Sequence, residues 1–208
     1  ARVVIVAPTA HLKVQWTAAA DRLGLHLDPA WDPDTGSLPS DMHGVVTSYQ
    51  QVAVSAKAIE PVARGAYVVL DEIHAHKSHD LLNVLQSAAG ARLNALWLYT
   101  TTEGYETPGP WPEMRHYAQQ VLNGVLEADH FFALIFSLDE QVGQPGDANY
   151  READDDFDER KWVKANPLIT VNPILKREII KAAIDAKQMP GRHAEFKIKR
   201  LNRASSVA

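Results

Sequence analysis

The sequence has 208 residues, of which 46% are hydrophobic and 23% are charged, and its formal net charge at pH 7 is −5. This composition is typical of one globular α/β domain with a small appendage, and an acidic chain is not a general nucleic-acid binder. Cysteine is absent, which excludes disulfides and thiolate metal sites, and no apolar run approaches the roughly 20 residues that a membrane-spanning helix needs.

Apolar runs rich in β-branched residues alternate along the chain with segments of helical periodicity. The predicted strands are residues 3–7, 44–47, 67–70, 96–101 and 131–138. The predicted helices are residues 11–23, 48–63, 81–89 and 113–126. This order predicts an α/β fold with a mainly parallel sheet, covered by helices on both faces. In such sheets, ligands bind beyond the carboxyl ends of the strands.

The chain becomes polar and acidic after Leu138, and its glycines and prolines predict an exposed linker over residues 139–160. Binding of a divalent cation by the aspartates of this segment is an alternative, but their spacing fits no calcium-loop pattern. These aspartates are Asp154, Asp155, Asp156 and Asp158. We therefore expect a solvated linker.

Residues 161–208 are predicted to form a small helical subdomain. Asn172 and Pro173 have the order of a helix cap and a first-turn proline, and Pro190 with Gly191 ends that helix. A second, basic helix follows over residues 192–203.

The third predicted strand ends in two adjacent carboxylates, Asp71 and Glu72, and resembles the Walker B element of P-loop NTPases. The resemblance implies that Asp71 holds Mg²⁺ through its water shell and that Glu72 is the catalytic base for the attacking water. Neighbouring side chains of a strand point in different directions, so their adjacency separates the two tasks. The alternative is a chance pair at a strand-to-helix turn, where acids favour the helix N-terminus.

Three segments before and at this box are similar to motifs of superfamily 2 helicases: APTAHLKVQW (7–16), VVTSYQQVA (45–53) and LDEIH (70–74). The resemblance covers residues 1–76, the first lobe of such an enzyme. It implies that Thr9 and Thr47 contact the nucleic-acid backbone and that His74 couples the box to the following motif. Trp16, in the first segment, is equally well explained as a core residue.

From Asp71 to about residue 203, the sequence resembles the large subunit of tailed-phage terminases. The resemblance rests on DEIHAHKSHDLLNVLQSAAGAR, LYTTTEGYE, YAQQVLNGVLEADHFFALIFSLDE and DDDFDERKWVKANPLITVN. It implies that a Thr-Thr-x-Gly-Tyr segment senses the nucleotide and couples hydrolysis to movement. That segment comprises Thr101, Thr102, Gly104 and Tyr105. A mosaic of the two families and a divergent terminase are both consistent with the sequence.

The phosphate-binding pattern G-x-x-x-x-G-K-[ST] is missing, since no Gly-Lys pair occurs in the sequence. We therefore expect residues 1–138 to be an ATPase core truncated at its N-terminus. Residues 139–160 would then be the acidic linker, and residues 161–208 would lead to a nuclease domain that is absent here. Such a chain is expected to be inactive by itself.

The terminase resemblance implies a motor that uses ATP and Mg²⁺ to package double-stranded DNA into a procapsid, in the cytoplasm of a phage-infected or prophage-carrying bacterium. It further implies the terminase small subunit and the portal protein as partners, a homo-oligomeric ring, and no membrane. Two alternatives remain: a superfamily 2 DNA helicase or translocase fragment, and a non-catalytic DNA-binding or assembly module.

Residues 166–208 carry nine basic and three acidic side chains, although the chain as a whole is acidic. Lys197, Lys199 and Arg200 are accordingly predicted to bind DNA phosphates, with release of counterions. A solvated helical face is the alternative.

Four arginines are candidates for the cation that stimulates hydrolysis in such motors: Arg22, Arg64, Arg92 and Arg115. Three histidines, His74, His76 and His79, raise the alternative of a zinc site. Their spacing matches no common zinc motif. His76 and His79 are therefore interpreted as surface or helix-start positions.

Overall fold

The computed structural model of the chain describes residues 2–35, 37–75, 79–89, 95–105 and 108–205. The chain divides into two compact units. The first unit comprises Ala1–Thr101 and Gly109–Trp111, and the second comprises Thr102–Pro108 and Pro112–Ala208. None of the helices in these described ranges has the length and apolar character needed to cross a membrane.

The first unit contains a five-stranded sheet in which every strand pair is parallel, with the order β2-β3-β1-β4-β5. The strands are β1 (Val3–Ala7), β2 (Leu27–Asp28), β3 (Gly44–Ser48), β4 (Tyr67–Asp71) and β5 (Trp97–Thr100). This arrangement confirms the predicted α/β fold and its parallel sheet. Only β2, which is two residues long, was not predicted.

β1 is the central strand of the sheet, with β3 on one edge and β4 on the other, and the residues around it are apolar. Val4, Val6, Val45 and Leu70 are fully buried. Such near-continuous runs of β-branched and aliphatic residues suit strands that are covered on both faces. Gly44 allows β3 to approach β1, since a Cβ atom at this position would lie 1.8 Å from the Val3 carbonyl oxygen.

The helices of the first unit lie close to their predicted positions. They are α1 (Ala10–Asp21), α2 (Tyr49–Val54), α3 (Ala56–Ala63) and α4 (Asp80–Ala89). The predicted helix 48–63 is divided at Ser55, whose backbone leaves the helical region (φ −126°, ψ 36°). Ser55 ends α2 by donating its N–H to Gln51, and its carbonyl accepts from Ile59 at the start of α3.

Further along the chain lie three helices and several short 3₁₀ turns. The helices are α5 (Pro110–Leu122), α6 (Pro173–Gln188) and α7 (His193–Leu201). Asn172 caps α6 as predicted, because its side-chain oxygen accepts from the backbone N–H groups of Ile174 and Leu175. The apolar core of the second unit includes Leu138, Trp162, Ile169, Ile179, Phe196 and Leu201.

Much of the acidic segment 139–160 is exposed, but two of its aspartates form ion pairs with basic side chains of the second unit. Asp154 accepts from Lys164 at 2.6 Å and forms an ion pair with Lys161 at 3.2 Å. Asp156 pairs with Arg203 at 2.6 Å and lies 2.9 Å from His193. The whole segment belongs to the second compact unit.

The predicted strand over residues 131–138 is wrong. The segment has no regular secondary structure, although its exposure alternates, with Phe132, Leu134 and Phe136 exposed. In the described part of the chain, however, no strand pairs with it. Alternation predicts an extended backbone, but a strand also requires a neighbour for its hydrogen bonds.

Candidate functional site

Two neighbouring strands of the parallel sheet, β4 and β5, carry polar residues to the same edge, since parallel strands all end on the same side. The box lies at this edge because Asp71 is the last residue of β4. In the register of the sheet, Asp71 is opposite Thr100, the last residue of β5. The site is therefore built on two adjacent strands.

Both oxygens of the Asp71 carboxylate are held by neutral donors. The indole N–H of Trp16 donates to Oδ2 at 2.8 Å, and the hydroxyl of Thr100 donates to Oδ1 at 2.9 Å. The phenol of Tyr49 donates to the backbone carbonyl of Asp71. Burial raises the pKa of Tyr49 well above its usual value, and the negative charges of Asp71 and Glu72 add to the effect. Tyr49 is therefore a permanent donor.

Glu72 adopts a left-handed backbone conformation with φ 54°. Its N–H donates to the carbonyl of Thr100 at 2.7 Å, and its carbonyl accepts from Ala75 at 3.0 Å. Non-glycine residues with positive φ are uncommon, and such strain occurs often at functional sites. The conformation ends β4 abruptly and separates the environments of the two adjacent carboxylates.

His74 connects Glu72 with the end of β5. Its Nδ1 atom lies 3.2 Å from Glu72 Oε2 and 2.7 Å from Thr101 Oγ1. The Glu72 and His74 side chains are each about one-third exposed, at 31% and 27%. The structure thus brings together four residues that the sequence assigned to catalysis, metal binding and coupling: Asp71, Glu72, His74 and Thr101.

These residues fit a hydrated magnesium ion. A carboxylate has about four acceptor positions, and the two donors to Asp71 each use one. Mg²⁺ keeps several waters and is usually bound by one or two carboxylates together with substrate phosphates. Among the described residues, no group of three or more His, Cys, Asp or Glu side chains could hold a metal ion directly.

The remaining coupling residues lie in the second unit, because the division falls between Thr101 and Thr102. Between Thr102 and Gly104 stands Glu103, whose side chain is buried and pairs with Arg115 at 2.6 Å. The Glu103 N–H donates to the Asn202 side chain at 2.9 Å. Tyr105 forms an isolated parallel bridge with Ser205.

Sequence reasoning did not identify Glu103, since a charge in a polar loop usually indicates exposure. Arg115 also pairs with Glu140 at 2.8 Å. Arg115, one of the four candidate arginines, thus forms ion pairs with two carboxylates of its own unit.

The two threonines assigned to nucleic-acid contact differ in accessibility. Thr9 is exposed and caps α1, where its hydroxyl oxygen accepts from the Leu12 N–H at 3.2 Å. Thr47 is fully buried, and its hydroxyl donates to Gln51 at 2.8 Å. The structure therefore does not present Thr47 to a ligand.

The predicted basic surface lies on α7. Lys199 is exposed and pairs with Glu195 at 2.9 Å, one helical turn away, while Lys197 and Arg200 are half-buried. The other candidate arginines are dispersed: Arg22 donates to the Ala18 carbonyl and Arg64 pairs with Glu60. Arg92 and His76 lie outside the described residues.

No protein-family model matches the chain. It is 31% identical over 163 residues to the protein Rv2917 of Mycobacterium tuberculosis, a match that covers 73% of this chain and 27% of that protein. It is 32% identical over 135 residues to YmfN of Escherichia coli, a match that covers 64% of this chain and 27% of that protein. These matches extend over little more than a quarter of either relative's length.

The fold is similar to that in the crystal structure of the HK97 bacteriophage large terminase, with a TM-score of 0.56 and 16% sequence identity. The likeness covers 98% of this chain and 40% of that chain. It therefore includes nearly all of residues 1–76, for which the helicase resemblance finds no support among these proteins. This chain has a terminase-like α/β fold.

Proposed function

We propose that the chain belongs to an ATP-hydrolysing motor of the terminase type, with its magnesium and water-activating groups at the carboxyl edge of β4 and β5. One observation carries the proposal. Two adjacent carboxylates, Asp71 and Glu72, are held in different environments by the positive φ of Glu72 and by separate hydrogen-bond partners. This is the arrangement that divides metal binding from proton transfer.

In this proposal, Asp71 would hold Mg²⁺ by accepting hydrogen bonds from its waters, and the ion would supply positive charge against the nucleotide phosphates. Glu72 takes the proton of the attacking water. His74 orients the Glu72 carboxylate and ties it to Thr101 at the end of β5. Thr101 ends the first segment of that unit, Ala1–Thr101, and the chain continues directly into Thr102 of the coupling segment.

The wider role is proposed for the whole protein, because the curated relatives extend far beyond the matched region. ATP with Mg²⁺ would be the substrate, and double-stranded DNA would be the translocated polymer. A procapsid portal, a small subunit and a ring of identical subunits would complete the assembly. α7 offers Lys197, Lys199 and Arg200 for sequence-independent contact with phosphates.

The test is phosphate release from MgATP by the protein expressed from the complete gene, with and without linear duplex DNA. Glu72→Gln is expected to reduce turnover at least 100-fold, since loss of a general base typically costs about 10²–10⁴-fold. Nucleotide binding should persist in this variant. Asp71→Asn is expected to raise the Mg²⁺ concentration that half-maximal turnover requires.

The control is Asp21→Asn, which removes an exposed carboxylate of the same unit that pairs only with His26 among the described side chains. It should leave turnover unchanged. Undiminished hydrolysis by Glu72→Gln would refute the assignment of this site.

A further inference from the structure

The ring of Trp16 lies among apolar residues, whereas its indole N–H makes a polar contact that packing alone does not explain. Its ring packs against an apolar cluster of the first unit formed by Ile5, Ala20, Leu27 and Val46. Its indole N–H leaves this cluster and donates to Asp71 Oδ2 at 2.8 Å. Fifty-five positions separate the two residues in sequence, so only the fold brings them together.

Thr100, the second donor to Asp71, further restricts the orientation of the carboxylate. The carboxylate torsion of aspartate is broad when nothing constrains it. Here Trp16 holds one oxygen and Thr100 holds the other, at 2.8 and 2.9 Å. Hydrogen bonds to an ionised acceptor are the stronger kind, and two of them on different oxygens fix the plane of the group. Both donors are neutral, so neither cancels the negative charge that a cation would need.

We propose that Trp16 is a positioning residue for Asp71: with Thr100, it orients the carboxylate so that its remaining lone pairs face the water shell of Mg²⁺. This inference rests on the proposed function for its metal. The hydrogen bond itself can be tested without any activity.

A purely structural role is the competing explanation, and the chain offers a matched control for it. Trp31 belongs to the same unit and is 3% exposed, and its indole nitrogen is buried without a hydrogen-bond partner among the described residues. Trp31→Phe therefore removes an indole from the core with no loss of a hydrogen bond. Trp16→Phe removes a similar volume and, in addition, the donor to Asp71.

The first measurement is the ¹H–¹⁵N spectrum of the indole groups in the 208-residue chain. The Trp16 signal is assigned by its loss in Trp16→Phe, and the Trp31 signal in the same way. Asp71→Asn should shift the Trp16 signal and leave the Trp31 signal in place. Sub-stoichiometric Mn²⁺ should broaden the Trp16 signal first. An unmoved Trp16 signal in Asp71→Asn would overturn the inference, whatever the protein does.

The second measurement is the Mg²⁺ dependence of turnover by the protein from the complete gene. Trp16→Phe should raise the Mg²⁺ concentration for half-maximal rate about 10-fold, as is typical when a residue behind a metal ligand is removed. Thr100→Val should act in the same direction, and Trp31→Phe should not. Equal effects of the two tryptophan substitutions would show that Trp16 only fills space. A Glu72→Gln protein that retains turnover would instead refute the proposed function, with the indole result still standing.

Discussion

Glu72 shows how much of the site depends on a single backbone torsion. In the extended region its side chain would continue the alternation of β4. At φ 54° the chain turns, and the carboxylate comes within 3.2 Å of His74. The left-handed region costs an L-residue roughly 1–2 kcal/mol because of contact between its Cβ and the backbone carbonyl. The role proposed for Glu72 and the stability of the fold therefore oppose each other at this position.

We predict that Glu72→Gly is more stable than Glu72→Ala by about 1 kcal/mol. Both substitutions remove the carboxylate and its contact with His74, so the difference between them isolates the strain of the Cβ atom. The measurement is urea unfolding of the two variants, followed by the indole signal of Trp31. At an ordinary strand position alanine is the more stable of the pair, and the same order at residue 72 would contradict a strained backbone.

Sequence reasoning selected Asp71, Glu72 and His74 as one predicted site because these residues are close together along one strand and the turn that follows it. It could not assign Trp16, which it explained equally well as core or ligand, because the indole meets Asp71 only through the packing of α1 on the sheet. The torsion of Glu72 was also beyond prediction, since glutamate has no preference for positive φ. The proximity of residues that are close in sequence could be predicted, whereas side-chain orientations that depend on contacts between distant residues could not.

Among the elements, those with local signals were predicted best. α6 begins after Asn172 and ends before Pro190, as its cap and proline indicated. The segment 131–138 was predicted less well, because a strand needs a neighbouring strand for its hydrogen bonds and no local pattern specifies that neighbour. Its alternation was real, and its assignment as a strand was wrong.

We predict that Asn172→Ala lowers the free energy of unfolding of the second unit by about 1 kcal/mol. The Asn172 oxygen satisfies two N–H groups of the first turn of α6, at 3.1 and 3.0 Å, and alanine would leave both to solvent. Urea unfolding followed by the indole signal of Trp162, which lies in the core of this unit, measures the loss. Asn172→Asp retains an acceptor and should stay within a few tenths of a kcal/mol of the parent. Equal losses in the two variants would exclude capping as the cause.

At the scale of the whole molecule, opposite charges neutralise one another within the second unit, both between near neighbours in sequence and between distant residues such as Asp156 and Arg203, which pair at 2.6 Å. The acidic segment 139–160 and the basic segment that follows it looked like separate regions, since charge runs usually indicate solvated surfaces. In the structure, the Asp154 side chain is only 8% exposed. Burial alone would raise its pKa, but hydrogen bonds from Lys164, the Asp139 backbone and Lys161 outweigh burial and lower the pKa from 3.8 to about 2.

We predict that Asp154→Asn lowers the unfolding free energy of this unit by about 1.5–3 kcal/mol at pH 7, the range for a hydrogen bond to a charged group. Because the pKa of the folded state lies below that of the unfolded state, the contribution of Asp154 is complete above pH 3.8 and is lost as the pH falls through about 2. Urea unfolding at several pH values, followed by the Trp162 indole, measures this loss.

The control for this experiment is Glu195→Gln, which breaks the exposed pair with Lys199 and should change stability by less than about 0.5 kcal/mol. Asp154→Asn and the parent should differ equally at pH 7 and pH 5 and converge towards pH 2. A difference that disappears by pH 5 would show that the lysine contacts of Asp154 do not lower its pKa.

The order of strands in the sheet also constrains how the first unit acquires its structure. Every pair of neighbouring strands is parallel, so no two of them can form a hairpin. The central strand β1 finds its partners β3 and β4 only after long stretches of chain have been synthesised. Loop-closure entropy must be overcome before these non-local contacts contribute, and such topologies fold slowly. Until these contacts form, both edges of β1 lack their partner strands, and unpaired edges of this kind make a partly folded chain prone to aggregation.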